Sequence, residues 1–266
     1  MARPPRPVRA RAVARHRGAP RVVAARGELI VERDPDRPSG RLLRQAGMEA
    51  SYVDLADPRH LEFDYLRWMR IVLGAARARR VLHVGGAGCA LARALAAADP
   101  DGRQEVCELD AEVLELARRH LGLRRARGLH VREADGRAYV ARLPDASFQA
   151  VVIDAFLGAR IPRALVTVEA LRDVRRVAPL AIVNVVDDRA GGVLGAIAAG
   201  LREAYPRMWA VSSRGANTVL VGAVAALHLD RIAARAAADR SPARVTGHRA
   251  LAQLSAGAPA PRDPER

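Results

Sequence analysis

The sequence predicts an α/β fold: a parallel sheet covered by helices, closed by an antiparallel hairpin and preceded by a small β unit. Three observations carry this. From Arg80 onward, short runs rich in Val, Ile and Leu alternate with segments of helical periodicity, the pattern of parallel strands joined by crossover helices. At 81–95 (VLHVGGAGCALARAL) an apolar strand ends in Gly85-Gly86-Ala87-Gly88, and a helix begins directly after it. Near the end, MWAVSS (208–213), a RGAN turn and TVLVGAV (218–224) read as a β-hairpin.

Residues 1–20 carry six arginines and no acid in a Pro/Ala background, which predicts a disordered tail. Residues 21–58 are expected to form a small β-domain: RGELIVERD, a turn at Pro38-Ser39-Gly40, then RLLRQAGMEASYVDL, closed by Asp57-Pro58. A helix is expected from about His60 to Ala76, with Leu61, Tyr65, Trp68, Met69 and Val72 at helical spacing. The main domain, 59–230, contains strands at 81–85, 105–109, 129–133, 150–154 and 181–186. Its helices include Asp110 to His120, with Asp110 as N-cap, and 191–204. From Asp239 to residue 266, Pro, Ala, Gly and charges predict a flexible tail. A parallel sheet ending in an antiparallel hairpin is the arrangement of S-adenosylmethionine-dependent methyltransferases rather than of dehydrogenases.

Composition bounds the chemistry. Aromatic residues make up 3% of the chain, so the core must be aliphatic. The net charge is +15 and no lysine occurs, so every basic side chain is arginine. Arginine favours flat anionic partners, but codon usage in a GC-rich genome produces the same excess and is the preferred explanation. Without aromatic residues in the tail to stack bases, specific nucleic-acid binding is not expected. Two cysteines, Cys89 and Cys107, are too few for a zinc site or a disulfide framework. No apolar run reaches the length of a membrane span and no signal peptide is visible, so a cytoplasmic protein is expected.

The glycine loop lets the backbone approach a ligand without a Cβ in the way, beside free N–H groups at the helix start. Glu108 ends the second strand, 20 residues beyond Gly88, where an acid can accept from both ribose hydroxyls of an adenosine. Asp135-Gly136 ends the third strand, within reach of an adenine amino group, and Asp154 ends the fourth. These acids share the crevice where open α/β sheets bind ligands. Leu91 replaces the small residue of a dinucleotide fingerprint, and without lysine there is no phosphate-binding Gly-Lys-Ser/Thr loop. Acidic surroundings suit a sulfonium, so S-adenosylmethionine or its decarboxylated form is the expected ligand, bound as a substrate without a metal.

The motifs GMEASYVDLADPRHLEFDYLRWM, VLHVGGAGCALARAL, CELDAEVLELARRHL, READGRAYV and VVIDAF occur in this order. Together they resemble the spermidine synthase (polyamine aminopropyltransferase) family, in its divergent spermidine synthase-like branch. The resemblance covers about residues 24–225. It implies an N-terminal β-domain, a Rossmann-like catalytic domain, a homodimer, and aminopropyl transfer from decarboxylated S-adenosylmethionine to an amine. It assigns Gly85, Gly86 and Gly88 to the cofactor loop, Glu108 to the ribose and Asp135-Gly136 to the adenine side. Asp154 matches the acid that holds and deprotonates the attacking amine, and Tyr65 a substrate-side tyrosine.

The amine side departs from the family. Its second catalytic-segment acid falls at Leu157, its loop acid at Ala87 or Gly88, its usual glutamine at Ala50, and a His-Glu pair at Leu66-Arg67. Glu62 is a candidate to compensate. These losses predict altered or reduced amine specificity. They keep open a methyltransferase of unknown acceptor and a non-catalytic nucleotide-binding scaffold. Cys89, at the first turn of a helix, could have a lowered thiol pKa, although a small packed residue is preferred there. His83 reads as a packed or hydrogen-bonded core histidine, Trp68 and Trp209 as core or interface residues, and Asp187-Asp188 as a pocket rim or an ordinary loop.

Overall fold

A computed structural model describes residues 20–123, 128–158, 160–186 and 192–264. The tail before residue 20 and Asp187-Asp188 lie outside the described residues. Four antiparallel strands come first: β1 (Arg21–Arg26), β2 (Leu29–Arg33), β3 (Gly40–Gln45) and β4 (Met48–Asp54), paired in chain order. Leu29, Val31, Leu43 and Val53 point from this sheet into the hydrophobic cluster that also holds the following helices. The two units therefore share one core.

The second sheet alternates with helices: α1 (Asp64–Ala75), β5 (Arg80–Gly85), α2 (Ala90–Ala98), β6 (Arg103–Glu108), α3 (Ala111–His120), β7 (Leu129–Glu133), α4 (Gly136–Arg142), β8 (Ala150–Asp154), α5 (Val168–Val177), β9 (Leu180–Val186), α6 (Val193–Ala204), β10 (Arg207–Ser212) and β11 (Asn217–Ala223). After these come α7 (Leu229–Ala237), β12 (Arg244–Thr246) and α8 (His248–Leu254). The strand order is β12-β10-β11-β9-β8-β5-β6-β7. Strands β5 to β9 pair in parallel, while β11 inserts antiparallel between β9 and β10. The central strands β5, β8 and β9 are buried on both faces, which is why they read as nearly continuous apolar runs. The predicted α/β sheet with its terminal hairpin and leading β unit is the observed architecture.

Local sequence explains the helix ends. Asp110 accepts hydrogen bonds from the backbone N–H of Glu112 and Val113, while Arg118, Arg119 and His120 occupy the last turn of α3, complementing both ends of the helix dipole. Helix α1 begins at Asp64, later than the expected His60. The Leu61 and Glu62 carbonyls accept from the Arg67 and Arg240 guanidiniums instead of from helical N–H groups, which holds this segment out of the helix.

The expected flexible tail from residue 239 differs from the structure. Strand β12 pairs with β10 through Ala210↔Thr246, Val211↔Val245 and Ser212↔Arg244, and Leu251 of α8 is buried. Asp239 and Ser241 are held by the nearly buried Arg67. Sparse periodicity hid these elements, because each is short and stabilised by tertiary partners rather than by its own propensity.

Candidate functional site

The glycine loop follows β5 directly. A Cβ on Gly85 (φ +79°) would lie 2.7 Å from the Asp154 carbonyl oxygen, so this glycine lets the loop pack against the end of β8. Gly86 (φ +102°) faces open space, with nothing within 4 Å of a Cβ placed there. It leaves backbone accessible to a ligand. Gly88 has a third role: a Cβ there would meet Ser51 Oγ at 2.7 Å, so it seats the N-terminal sheet on the loop. Gly136 is a packing glycine, since its Cβ would overlap Val84 Cγ1.

Glu108 is half-buried at the end of β6. Its carboxylate accepts from the Ala87 N–H at 3.2 Å and the Asp110 N–H at 3.1 Å, which ties the acid to the glycine loop. Burial raises its pKa against these backbone hydrogen bonds. Each oxygen retains acceptor capacity, so the carboxylate suits a pair of hydroxyls. Asp135 is exposed, and its Oδ1 accepts from the Ala138 N–H at 2.8 Å to cap α4. Capping is thus one role that the acid after β7 fulfils.

Asp154 ends β8 beside Gly85. Tyr65 Oη of α1 donates to its Oδ2 at 3.4 Å, and Asn184 Nδ2 of β9 donates to its Oδ1 at 2.9 Å. Burial pushes Asp154 up to about 6, opposed by those two donors and reinforced by the negative charge of Glu108. Asp154, Tyr65, Gly85, Gly86, Ala50 and His83 line one pocket on the α1 side of the sheet. Of the residues singled out in the sequence, Asp154, Tyr65, Gly85 and Gly86 line this pocket; Glu108 adjoins it through its hydrogen bond to the Ala87 N–H, and Gly88, Asp135 and Gly136 do not line it.

Known proteins resemble this chain in sequence and in fold. A polyamine aminopropyltransferase of Vibrio vulnificus is 29% identical over 128 residues, covering 47% of this chain and 42% of that protein. A probable spermidine synthase from Corynebacterium glutamicum has a solved structure that superposes with a TM-score of 0.81 at 26% identity, over 90% of this chain and 94% of that one. In sequence and in fold, then, the chain is similar to spermidine synthases. Human methyltransferase-like protein 13, solved in complex with SAH, shares the fold at a TM-score of 0.55 and 20% identity, over 76% of this chain and 96% of that one. No known family profile matches the chain.

The positions that depart from the spermidine synthase pattern serve structure in this chain. Arg67 is 6% exposed and donates to Asp239, Ser241 Oγ and the Leu61 and Glu62 carbonyls. It clamps the C-terminal segment onto α1. Glu62 is engaged by His60 Nε2 at 2.9 Å and by Arg240 at 3.0 Å, so it is not free to replace a missing acid. Leu157 is 71% exposed. Cys89 sits in the αL conformation before α2, and burial raises its thiol pKa to about 12. Burial and the nearby Glu108 carboxylate thus shift this thiol upward, opposite to the direction expected of a helix start, which fits a small packed residue. Trp68 and Trp209 are core, as expected.

Sequence reasoning missed Asn184. Its signal was available: a single amide inside the apolar run AIVNVV. Among the described residues no group of three or more His, Cys, Asp or Glu is placed to hold a metal, and no helix is long and apolar enough to cross a membrane.

Proposed function

We propose that the protein transfers an aminopropyl group from decarboxylated S-adenosylmethionine to an amine, with amine specificity different from that of a diamine-using enzyme. The observation that carries this reading is Asp154: a carboxylate beside the glycine loop, oriented by Tyr65 and Asn184 and poised near pH 6 by burial. A base is most useful when its pKa lies near the working pH. Glu108 would hold the ribose hydroxyls and the Gly85–Gly88 loop the sulfonium side of the nucleoside, with Asp135-Gly136 near the adenine. The neutral amine attacks the methylene carbon next to sulfur. Asp154 takes one proton from the incoming ammonium to free its lone pair; the C–N bond then forms as the C–S bond breaks, methylthioadenosine leaves with the sulfur electron pair, and the product amine departs as an ammonium. Holding the two reactants in line supplies most of the acceleration.

The exposed Leu157 and the engagement of Glu62 leave the amine side with one carboxylate. A diamine carries two charges, so a monoamine or an asymmetric amine suits the site better. The same poverty of acids supports a second reading, methyl transfer from intact S-adenosylmethionine to an unknown acceptor.

Calorimetric titration with S-adenosylmethionine, its decarboxylated form and methylthioadenosine separates the readings. Aminopropyl transfer requires preference for the decarboxylated compound. Preference for intact S-adenosylmethionine moves the assignment to methyl transfer, and binding of none removes both. With the preferred ligand identified, Asp154→Asn is expected to bind it nearly as well as the wild type while losing at least about 100-fold in turnover. Retained turnover removes Asp154 from the role of base.

A further inference from the structure

His83 is a polar side chain on an apolar sheet face, only 5% exposed, yet it lines the same pocket as Asp154 and Tyr65. Its Nε2 lies 3.0 Å from Gln104 Oε1. Gln104 Nε2 donates to the Arg79 carbonyl at 3.2 Å, so Gln104 offers His83 only an oxygen. The proton must therefore reside on His83 Nε2, and Nδ1 carries a bare lone pair. Burial pushes the imidazole down to about 4, which keeps the ring neutral at physiological pH.

The two ring nitrogens point to nearly opposite sides. Nε2 faces Gln104, close to the amino-terminal ends of the strands. Nδ1 points away from Gln104, and Gly85, Gly86 and Asp154, at the carboxyl ends of the strands, line the same pocket as His83. No described residue donates to Nδ1, and it is not among the sealed side-chain atoms without partners, which include Asn184 Oδ1 next to Asp154. Nδ1 is therefore open to the pocket, and a ligand N–H that takes the place of solvent there gains a hydrogen bond in a largely buried setting.

The pocket also specifies the donor. Tyr65 spends its proton on Asp154, Asp154 is an acceptor when ionised, and no arginine lines the pocket. Side chains that offer lone pairs without a cation match a group rich in N–H, and they do not match a carboxylate. We propose that His83 is a specificity-determining residue whose Nδ1 receives an N–H from an alkylamine group of the bound substrate. This rests on the aminopropyltransferase reading and extends it. The alkylamine belongs either to the aminopropyl arm of the donor or to the acceptor.

The test compares wild type, His83→Val and His83→Asn. Val matches the apolar neighbours on this face, whereas Asn keeps an acceptor oxygen close to the place of Nδ1. Methylthioadenosine, which has no amine on its side arm, controls for folding and nucleoside binding and should bind all three alike. His83→Val should lose at least about tenfold in affinity for decarboxylated S-adenosylmethionine if the arm nitrogen is the partner. If the acceptor nitrogen is the partner, the KM for 1,4-diaminobutane should rise by about tenfold instead. His83→Asn should remain close to wild type in both. Normal methylthioadenosine binding with both amine readouts unchanged in His83→Val overturns the proposal.

Nitrogen-15 NMR of the wild type gives a readout that needs no variant. Nδ1 of His83 should move to a hydrogen-bonded shift with an amine-bearing ligand and not with methylthioadenosine; no movement with either amine overturns the assignment. Wild-type preference for intact S-adenosylmethionine would defeat the aminopropyl reading alone. That ligand also carries an alkylamine, so its affinity in His83→Val then decides the role of His83. Wild-type protein that binds no amine-bearing ligand overturns both.

Discussion

Asp154 and His83 share one pocket, and folding shifts their proton affinities in opposite directions. Burial raises Asp154 from its ordinary 3.8 to about 6 and lowers His83 from 6.5 to about 4. Between roughly pH 4 and 6 the folded state holds a proton on Asp154 that the unfolded chain has lost, so this group's contribution to stability falls as pH rises. Over the same range the unfolded chain holds a proton on His83 that the folded state rejects, so that contribution falls as pH drops. The two slopes nearly cancel in the wild type. Relative to it, Asp154→Asn should be more stable by about 3 kcal/mol at pH 7, and this advantage should nearly vanish by pH 4. His83→Asn should instead gain by a similar amount, relative to wild type, as pH falls from 6.5 to 4. Urea unfolding at several pH values checks both; parallel pH profiles for the three proteins would show that the pocket does not shift these groups. Asp154 was legible in the sequence because an acid at a strand end announces itself. The roles of Asn184 and of the His83 tautomer were not, because both depend on which side chains lie beside them across the sheet.

Capping chemistry and apolar period made α3 legible to within a residue, because Asp110 and the inward Val113, Leu114 and Ala117 act locally. Helix α1 was misjudged at its start for the opposite reason: Arg67 and Arg240 take the carbonyls of Leu61 and Glu62 from elsewhere in the chain. That clamp also explains the ordered β12 and α8. Arg67→Met keeps the apolar stem but strands the Asp239 carboxylate, which is shielded in the fold. A loss of about 3 kcal/mol is expected, read by urea unfolding, together with proteolytic cleavage after residue 239. A variant as stable and as protease-resistant as wild type would show that the clamp contributes nothing. The glycine loop was legible as a loop, but its division of labour was not. Only Gly86 faces open space, while Gly85 and Gly88 accommodate Ala155 and Ser51.

Across the whole molecule, the strand and helix alternation sufficed for the fold class because central parallel strands are apolar on both faces. The core shared with the N-terminal sheet was not legible, since strand alternation does not say which face meets which partner. The insertion of β11 between β9 and β10 has a consequence during synthesis. On the ribosome, β9 and β10 emerge before the strand that must separate them, and among the described residues the sheet partners of β10 are β11 and β12. A nascent chain exposed through Ser212 therefore carries an apolar strand edge with no partner and a second strand with nowhere to dock, a state prone to wrong pairing. Stalled nascent chains should remain sensitive to protease at that length and become resistant once Ala223 has cleared the exit tunnel. Covering of the β9 edge, and with it the support that Asn184 gives Asp154 from that strand, waits on the late arrival of β11.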